Sequence, residues 1–110
     1  MKSNAKPTTR AERVNLRDFA AGQSCVACGA RDGTVVLAHY FGPRRHSYGG
    51  GMGHKGHDAV GAHLCARCHA DMDTNMRNKV KRWEASEIFL HYCALTWIRV
   101  CDALAQRRAA

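Results

Sequence analysis

The amino-acid sequence predicts a small α+β domain that ends in a long amphipathic helix. The β-branched run over residues 34–40 is typical of a strand, and apolar residues recur at helical spacing over about residues 83–106. Two Cys-x-x-Cys units have the spacing of paired zinc knuckles: Cys25 with Cys28, and Cys65 with Cys68. Together these patterns predict a zinc-stapled fold.

The length and charge of the chain set its organisation. Its 110 residues suit one domain, which we assign to residues 15–110 with its core over residues 23–78. Residues 1–14 are polar and basic, and we expect them to form a flexible tail. The formal net charge of +8 fits either simple solubility or a polyanionic partner, of which DNA is the simplest.

The sequence gives no sign of a membrane or secretory protein. No apolar run approaches the roughly 20 residues that span a bilayer. The first residues contain no apolar segment of a secretory signal. We therefore expect a cytoplasmic protein, in which reduced thiols more often bind metal than form disulfides.

Local patterns predict the other elements in chain order. Asn15 is a candidate N-cap for a short helical turn that Gly22 ends. The strand over residues 34–40 precedes a loop over residues 42–56, whose six glycines disfavour regular structure. A second strand over residues 59–64 leads through the second cysteine unit into a helix.

The last helix, over about residues 83–106, is the clearest of these predictions. Apolar positions three and four residues apart form one broad stripe on it: Ile88, Phe89, Tyr92, Cys93, Thr96, Trp97, Val100, Cys101 and Leu104. Because Cys93 and Cys101 belong to this stripe, we expect both to be buried as small hydrophobic residues.

The two cysteine units are the strongest chemical signal in the chain. Two such turns can supply four thiolates to one tetrahedral zinc ion, and a site filled by protein ligands is structural. The 36 residues between the units exceed the roughly 15–20 of simple zinc ribbons. A spacer of this length still permits the site, because the entropic cost of closing a loop grows only with the logarithm of its length. The alternative of two redox pairs is disfavoured because no thioredoxin-like βαβ pattern surrounds them.

A second group of polar residues lies around the strand end and the second knuckle. His39 ends the first predicted strand, and the glycine-rich loop carries further histidines: His46, His54 and His57, beside Asp58. His69 and Asp73 lie four residues apart on one helix face, a spacing that can chelate a divalent ion. Any one of these side chains could be solvated only, but their concentration favours a site.

This arrangement resembles the ββα-metal, or HNH, nucleases. In more detail, the chain is similar to small phage and prophage proteins of the YbcO type and to the RecA-dependent phage nuclease Ref. The resemblance covers roughly residues 15–75. It is carried by Asn15-Leu-Arg-Asp with residues 20–25, Thr34-Val-Val-Leu-Ala-His39, Gly51-Met-Gly-x-Lys55-x-x-Asp58, Gly61-Ala62, and Cys65-x-x-Cys68-His69 through Asp73.

The resemblance implies a metal-dependent DNA endonuclease that acts in phage or prophage recombination or DNA processing, in the host cytoplasm. His39 would be the general base that activates water, and His69 would bind a catalytic Mg2+, Mn2+ or Zn2+ ion. Ala38 stands where many HNH enzymes carry another ligand, so Asp73 or Asp58 would have to supply it. The family's middle asparagine is also missing, so the metal site is either incomplete or assembled differently.

Basic side chains complete the expected site. Lys55, in a loop whose glycines allow close approach, is expected to bind a phosphate or transition-state charge. Contacts with the DNA backbone are expected from Arg44, Arg45, Arg77, Lys79, Lys81 and Arg82.

Two other functions stay open from the sequence. A non-catalytic, zinc-stapled DNA-binding protein would explain Ala38, but it would not need His39, His69 and Asp73. A protein-binding adaptor built on the long amphipathic helix is the third possibility. A recombinase partner is expected only by analogy with Ref, and the sequence predicts no oligomeric state.

Overall fold

The computed structural model describes residues 15–51 and 53–109. Its elements are α1 (Leu16–Ala20), β1 (Val36–His39), a 3-10 helix (Arg45–Tyr48), β2 (Gly61–Leu64), α2 (Ala66–Arg77) and α3 (Arg82–Ala109). The predicted small α+β fold with a long C-terminal helix is confirmed, and its sheet has two strands. The predicted basic tail, residues 1–14, lies outside the described residues.

Helix α1 begins where the sequence predicts because Asn15 caps it. The Oδ1 atom of Asn15 accepts hydrogen bonds from the backbone N–H groups of Arg17 (3.1 Å) and Asp18 (3.2 Å). After the helix, Gly22 has a φ of +84°, a left-handed conformation that favours glycine. The chain turns there toward the first cysteine unit.

Strands β1 and β2 pair antiparallel, from Val36 opposite Leu64 to His39 opposite Gly61. Residues 37 and 39 of β1 lie on the same face of the sheet, because side chains alternate along a strand. A Cβ atom at Gly61 would lie 2.7 Å from the Leu37 side chain. Glycine at position 61 therefore leaves room for Leu37 on the face that carries His39.

Both strands are shorter than the sequence predicts, and Thr34 explains the late start of β1. The backbone N–H of Thr34 donates to Oδ1 of Asp32 (2.9 Å), which holds this residue in a turn. The hydroxyl of Thr34 accepts a hydrogen bond from the backbone N–H of Ala66 (2.9 Å). Thr34 thus ties the turn before β1 to the first residue of α2.

The glycine-rich loop between the strands is more regular than predicted. Arg45–Tyr48 form a 3-10 helix, and Gly49 ends it in a left-handed conformation with a φ of +82°. Gly51 and His54 then pair as an isolated antiparallel bridge. The prediction that regular structure is absent is therefore wrong for residues 45–48, because the glycines end and reverse short elements here.

The core lies between the sheet and α3, and Tyr40 is at its centre. Tyr40 and Phe89 are both fully buried, and their rings meet edge to face with centroids 5.5 Å apart. The Tyr40 hydroxyl is hydrogen-bonded to Oγ of Ser86 (2.5 Å) and accepts from the backbone N–H of Arg44 (3.1 Å). This hydroxyl therefore links β1, the glycine-rich loop and α3.

Helix α3 is slightly longer than predicted and buries only part of its apolar surface. Its buried positions are Ala85, Ser86, Phe89, Cys93, Thr96 and Val100. Trp97 is 43% exposed and Cys101 is exposed. The prediction that Cys101 is buried is wrong, because the apolar arc of α3 is wider than the surface that the sheet and α2 cover.

Helix α3 also has the length and composition of a helix that could cross a membrane. Its most apolar window of 18 residues has a mean hydropathy of 1.3. This differs from the sequence-based expectation that no apolar run of the chain approaches the length needed to span a bilayer. However, α3 packs against β2 and α2. Its Arg99 side chain donates a hydrogen bond to the carbonyl of Ser24 (2.6 Å). The inner face of α3 therefore belongs to the core of the fold.

Candidate functional site

The four cysteines of the two Cys-x-x-Cys units come together in one cluster. In the first unit the backbone N–H of Gly29 donates to the carbonyl of Cys25 (2.8 Å), which closes a tight turn. In the second unit Cys65 is the N-cap residue of α2. The four sulfur atoms all lie within 4.8 Å of one another.

The sulfur positions fit a tetrahedral zinc ion. Zinc bound to sulfurs at about 2.3 Å would hold them about 3.8 Å apart. The Sγ atoms of Cys28 and Cys65 lie 3.7 Å apart. In residues 15–51 and 53–109, this cluster is the one group of three or more His, Cys, Asp or Glu residues close enough to share a metal ion. The four cysteines could therefore bind a structural zinc, as their spacing predicts.

The thiols also influence each other's ionisation. Burial opposes ionisation of Cys25, but hydrogen bonds to the backbone of Cys65 and Cys28 outweigh it and lower the Cys25 pKa to about 6. A hydrogen bond to the backbone of Ala30 favours the Cys28 thiolate, yet burial and the neighbouring thiols raise its pKa. Burial, followed by the neighbouring thiols, raises the pKa of Cys68. Adjacent thiolates repel, and a bound cation would relieve that repulsion.

A second feature is a cleft of about 710 Å³ between the end of β1, the glycine-rich loop and α2. Six residues that the sequence analysis assigns to the active site or to DNA line it: His39, Arg45, Lys55, His69, Asp73 and Arg77. Arg17 and His54 also line the cleft. The fold thus brings the predicted base, the predicted chelating pair and three basic side chains to one cavity.

His39 is held at the edge of this cleft by a carboxylate. Its Nε2 atom lies 2.6 Å from Oδ1 of Asp58. The pKa of Asp58 lies below its usual range, first because of the hydrogen bond with His39 and then because Arg17 donates to the same oxygen (3.1 and 3.2 Å). An ionised carboxylate only accepts hydrogen bonds, so Nε2 carries the hydrogen of this contact, and in the neutral ring the lone pair is then on Nδ1.

The contacts of Asp58 differ from those expected of a metal ligand. From the resemblance, Asp58 or Asp73 is expected to bind a catalytic ion. In the structure its Oδ1 atom contacts His39 and Arg17, and Asp58 is not among the residues that line the cleft. The geometry favours Asp58 as the residue that orients His39.

His69 and Asp73 lie on one face of α2, as their spacing predicts. The Nε2 atom of His69 and the Oδ1 atom of Asp73 are 3.8 Å apart, which is too far for a hydrogen bond. Oδ1 of Asp73 is buried and has no hydrogen-bond partner. A carboxylate oxygen in that state could accept a cation, but the pair supplies only two ligands.

The basic residues predicted to bind DNA divide into two groups. Arg45 and Arg77 line the cleft. Arg44 lies over the ring of Trp83 at 5.8 Å, on another surface. The others lie at the connection between α2 and α3, are exposed, and do not line the cleft: Lys79, Lys81 and Arg82.

Two contacts have no signal in the sequence. Arg17 reaches Asp58 across 41 positions of the chain, so no local spacing predicts the pair. His63 is fully buried on β2, where Arg99 donates to its Nδ1 atom (3.1 Å). Burial, together with the positive charge of Arg99, lowers the pKa of His63 to about 4. His63 is therefore a neutral core residue that joins β2 to α3.

No protein-family model, no curated protein and no solved structure matches this chain. The likeness to HNH nucleases stays a prediction from the sequence. The chemistry of the cysteine cluster and the cleft is therefore the basis on which a function can be proposed.

Proposed function

We propose that this protein is a metal-dependent DNA endonuclease of the ββα-metal type. The observation that carries the proposal is the His39–Asp58 pair at the end of β1, which shares a cleft with His69 and Asp73 on α2. An oriented imidazole can act as a base and a metal-binding pair can hold a Lewis acid, and together these two groups can support hydrolysis of a phosphodiester.

The element order supports the same proposal. Two antiparallel strands, β1 and β2, are followed directly by α2. The base candidate ends the first strand, and His69 lies in the first turn and a half of the helix. The cysteine cluster includes Cys65, where β2 passes into α2, so a zinc ion there would fix how the helix meets the sheet.

In this proposal His39 is the general base. Nδ1 of His39 accepts a proton from a water molecule, whose oxygen then attacks the phosphorus. Asp58 holds the ring through Nε2 and stabilises the imidazolium that forms. A divalent ion at His69 and Asp73 would neutralise the phosphate and stabilise the leaving oxygen. In this proposal, the residue on β1 removes the proton and the residues on α2 hold the ion that neutralises the phosphate charge.

The basic residues of the cleft support a polyanionic substrate. Arg45, Lys55 and Arg77 present positive charge around the cavity, and His54 adds a further donor. Guanidinium and ammonium groups bind phosphate oxygens without reading the bases. We therefore expect cleavage with little sequence preference.

The test is nicking of supercoiled plasmid by the purified protein with Mg2+, with Mn2+, and with a chelator. His39→Ala should lower the rate by about 10²- to 10⁴-fold while leaving the fold and DNA affinity intact. Asp58→Asn should lower it less, because the ring keeps a partner but the imidazolium loses its counter-charge. His91→Ala is the matched control, since His91 is an exposed histidine on α3 that does not line the cleft.

A second function has its own support. In the described part of the chain, His69 and Asp73 find no third ligand close by, and Ala38 is 1% exposed within the core. A zinc-stapled protein that binds DNA without cutting it would need no complete set of ligands for a catalytic ion. If the parent protein binds DNA but never cleaves it under any metal, this function replaces the nuclease.

A further inference from the structure

Helix α3 has an apolar surface that nothing in the described structure covers. Five exposed residues form it, and we name them the outer stripe: Ala94, Trp97, Ile98, Cys101 and Ala105. At about 100° per residue they fall within an arc of about 100°. Trp97 is 43% exposed and Ile98 is 57% exposed, whereas only 22% of the most apolar window of α3 is buried.

The stripe is bounded by opposite charges at its two ends. Glu87 lies about two turns before Ala94 on the same arc, and it is exposed. Arg108 lies one turn after Ala105 on the same arc, and it is also exposed. The surface therefore carries a negative charge, then apolar residues, then a positive charge.

This order is self-complementary in one arrangement only. When two copies of the helix lie antiparallel about a twofold axis near Trp97 and Ile98, Glu87 of each copy faces Arg108 of the other. Parallel copies would place like charges together. The small residues Ala94 and Ala105 alternate with the large ones, which allows two helices to approach closely. The helix dipoles also oppose each other favourably in the antiparallel pair.

We propose that the outer stripe is a dimer interface between two copies of this chain, with their α3 helices antiparallel. The stripe lies beside the buried arc of α3, with Trp97 about 40° around the helix from Cys93, and its five residues are exposed and do not line the cleft. Pairing would therefore leave the core and the cleft unchanged. This inference does not depend on the nuclease function.

Sedimentation velocity over a range of concentrations tests the proposal. The parent protein should form a dimer as concentration rises, and Ile98→Glu should keep it monomeric, because pairing would bury an unpaired charge. Val80→Glu is the matched control, since Val80 is 91% exposed but lies outside α3. It should dimerise like the parent. Circular dichroism checks that each variant is folded.

Charge reversal tests the antiparallel arrangement. Glu87→Arg and Arg108→Glu should each weaken the dimer by roughly 10-fold, because each change replaces two attractive pairs with two repulsive pairs. The double variant should recover the parent's dimerisation. Failure of that recovery, or a parent that stays monomeric at every concentration, overturns the proposal.

A membrane partner would give a different result. If the monomeric parent sediments with phosphatidylcholine–phosphatidylglycerol vesicles and Ile98→Glu does not, the stripe binds lipid and the dimer proposal is wrong. The acidic Glu87 at one end of the stripe argues against anionic lipid as the occupant.

Discussion

The cysteine cluster leads to the sharpest prediction: loss of one ligand should cost the protein its zinc and its fold. Cys65→Ser is the most informative change, because Cys65 is 2% exposed and lies between β2 and α2. Serine keeps the size of the side chain but is a poor zinc ligand. The change therefore removes the metal contact with little effect on packing.

The expected magnitude follows from the size of the core. A structural zinc contributes about 10–16 kcal/mol to the folding of small zinc domains. The whole stability of a domain is about 5–15 kcal/mol. Here the sheet has two strands of four residues each, and Cys25 and Cys65 themselves belong to the core. Loss of the ion should therefore remove most or all of the net stability.

The assay combines zinc content with thermal unfolding. The parent should contain one zinc per chain by elemental analysis, and Cys65→Ser should contain none and lack a cooperative unfolding transition by circular dichroism. Cys101→Ser is the matched control, because Cys101 is exposed on α3 and outside the cluster. At concentrations where the protein is monomeric, it should keep the zinc and change stability by no more than about 0.5 kcal/mol. A zinc-free Cys65→Ser protein that unfolds at the parent's temperature would refute the reasoning.

Three further outcomes are expected. Tyr40→Phe should lower the free energy of unfolding by about 1–3 kcal/mol, because it leaves the buried Ser86 hydroxyl unpaired; chemical denaturation should show partial recovery when Ser86→Ala is added. Gly61→Ala should cost about 1–3 kcal/mol in the same assay, since its Cβ would overlap the Leu37 side chain. Arg45→Gln and Arg77→Gln should each flatten the slope of log affinity for DNA against log salt by about 1, measured by fluorescence anisotropy, if each arginine binds one phosphate.

The sequence predicts those features that depend on neighbours along the chain. The spacing within each Cys-x-x-Cys unit is local, and so is the N-cap at Asn15, because each needs only one turn of backbone. The chelating pair on α2 follows from helical periodicity alone. In each case the relevant side chains lie within four residues of one another.

The remaining features depend on how distant segments pack. Arg17 meets Asp58 only after α1 has docked beside the loop, so residue spacing alone could not predict that Asp58 contacts both Arg17 and His39. The exposure of Cys101 likewise depends on how much of α3 the sheet can cover. The periodicity of the sequence shows which residues form an apolar arc on a helix. How much of that arc is buried depends on the width of the surface that packs against it.

The cysteine cluster and the cleft both depend on the junction between β2 and α2. Loss of zinc and loss of the base at His39 should nevertheless have different effects. Cys65, Cys68 and His69 lie within five consecutive positions where β2 passes into α2. On the helix, the two cysteines and the His69–Asp73 pair occupy neighbouring faces, so the turn that would hold zinc also aims the chelating pair. Loss of zinc should therefore disable the cleft, while changes at His39 should leave zinc in place.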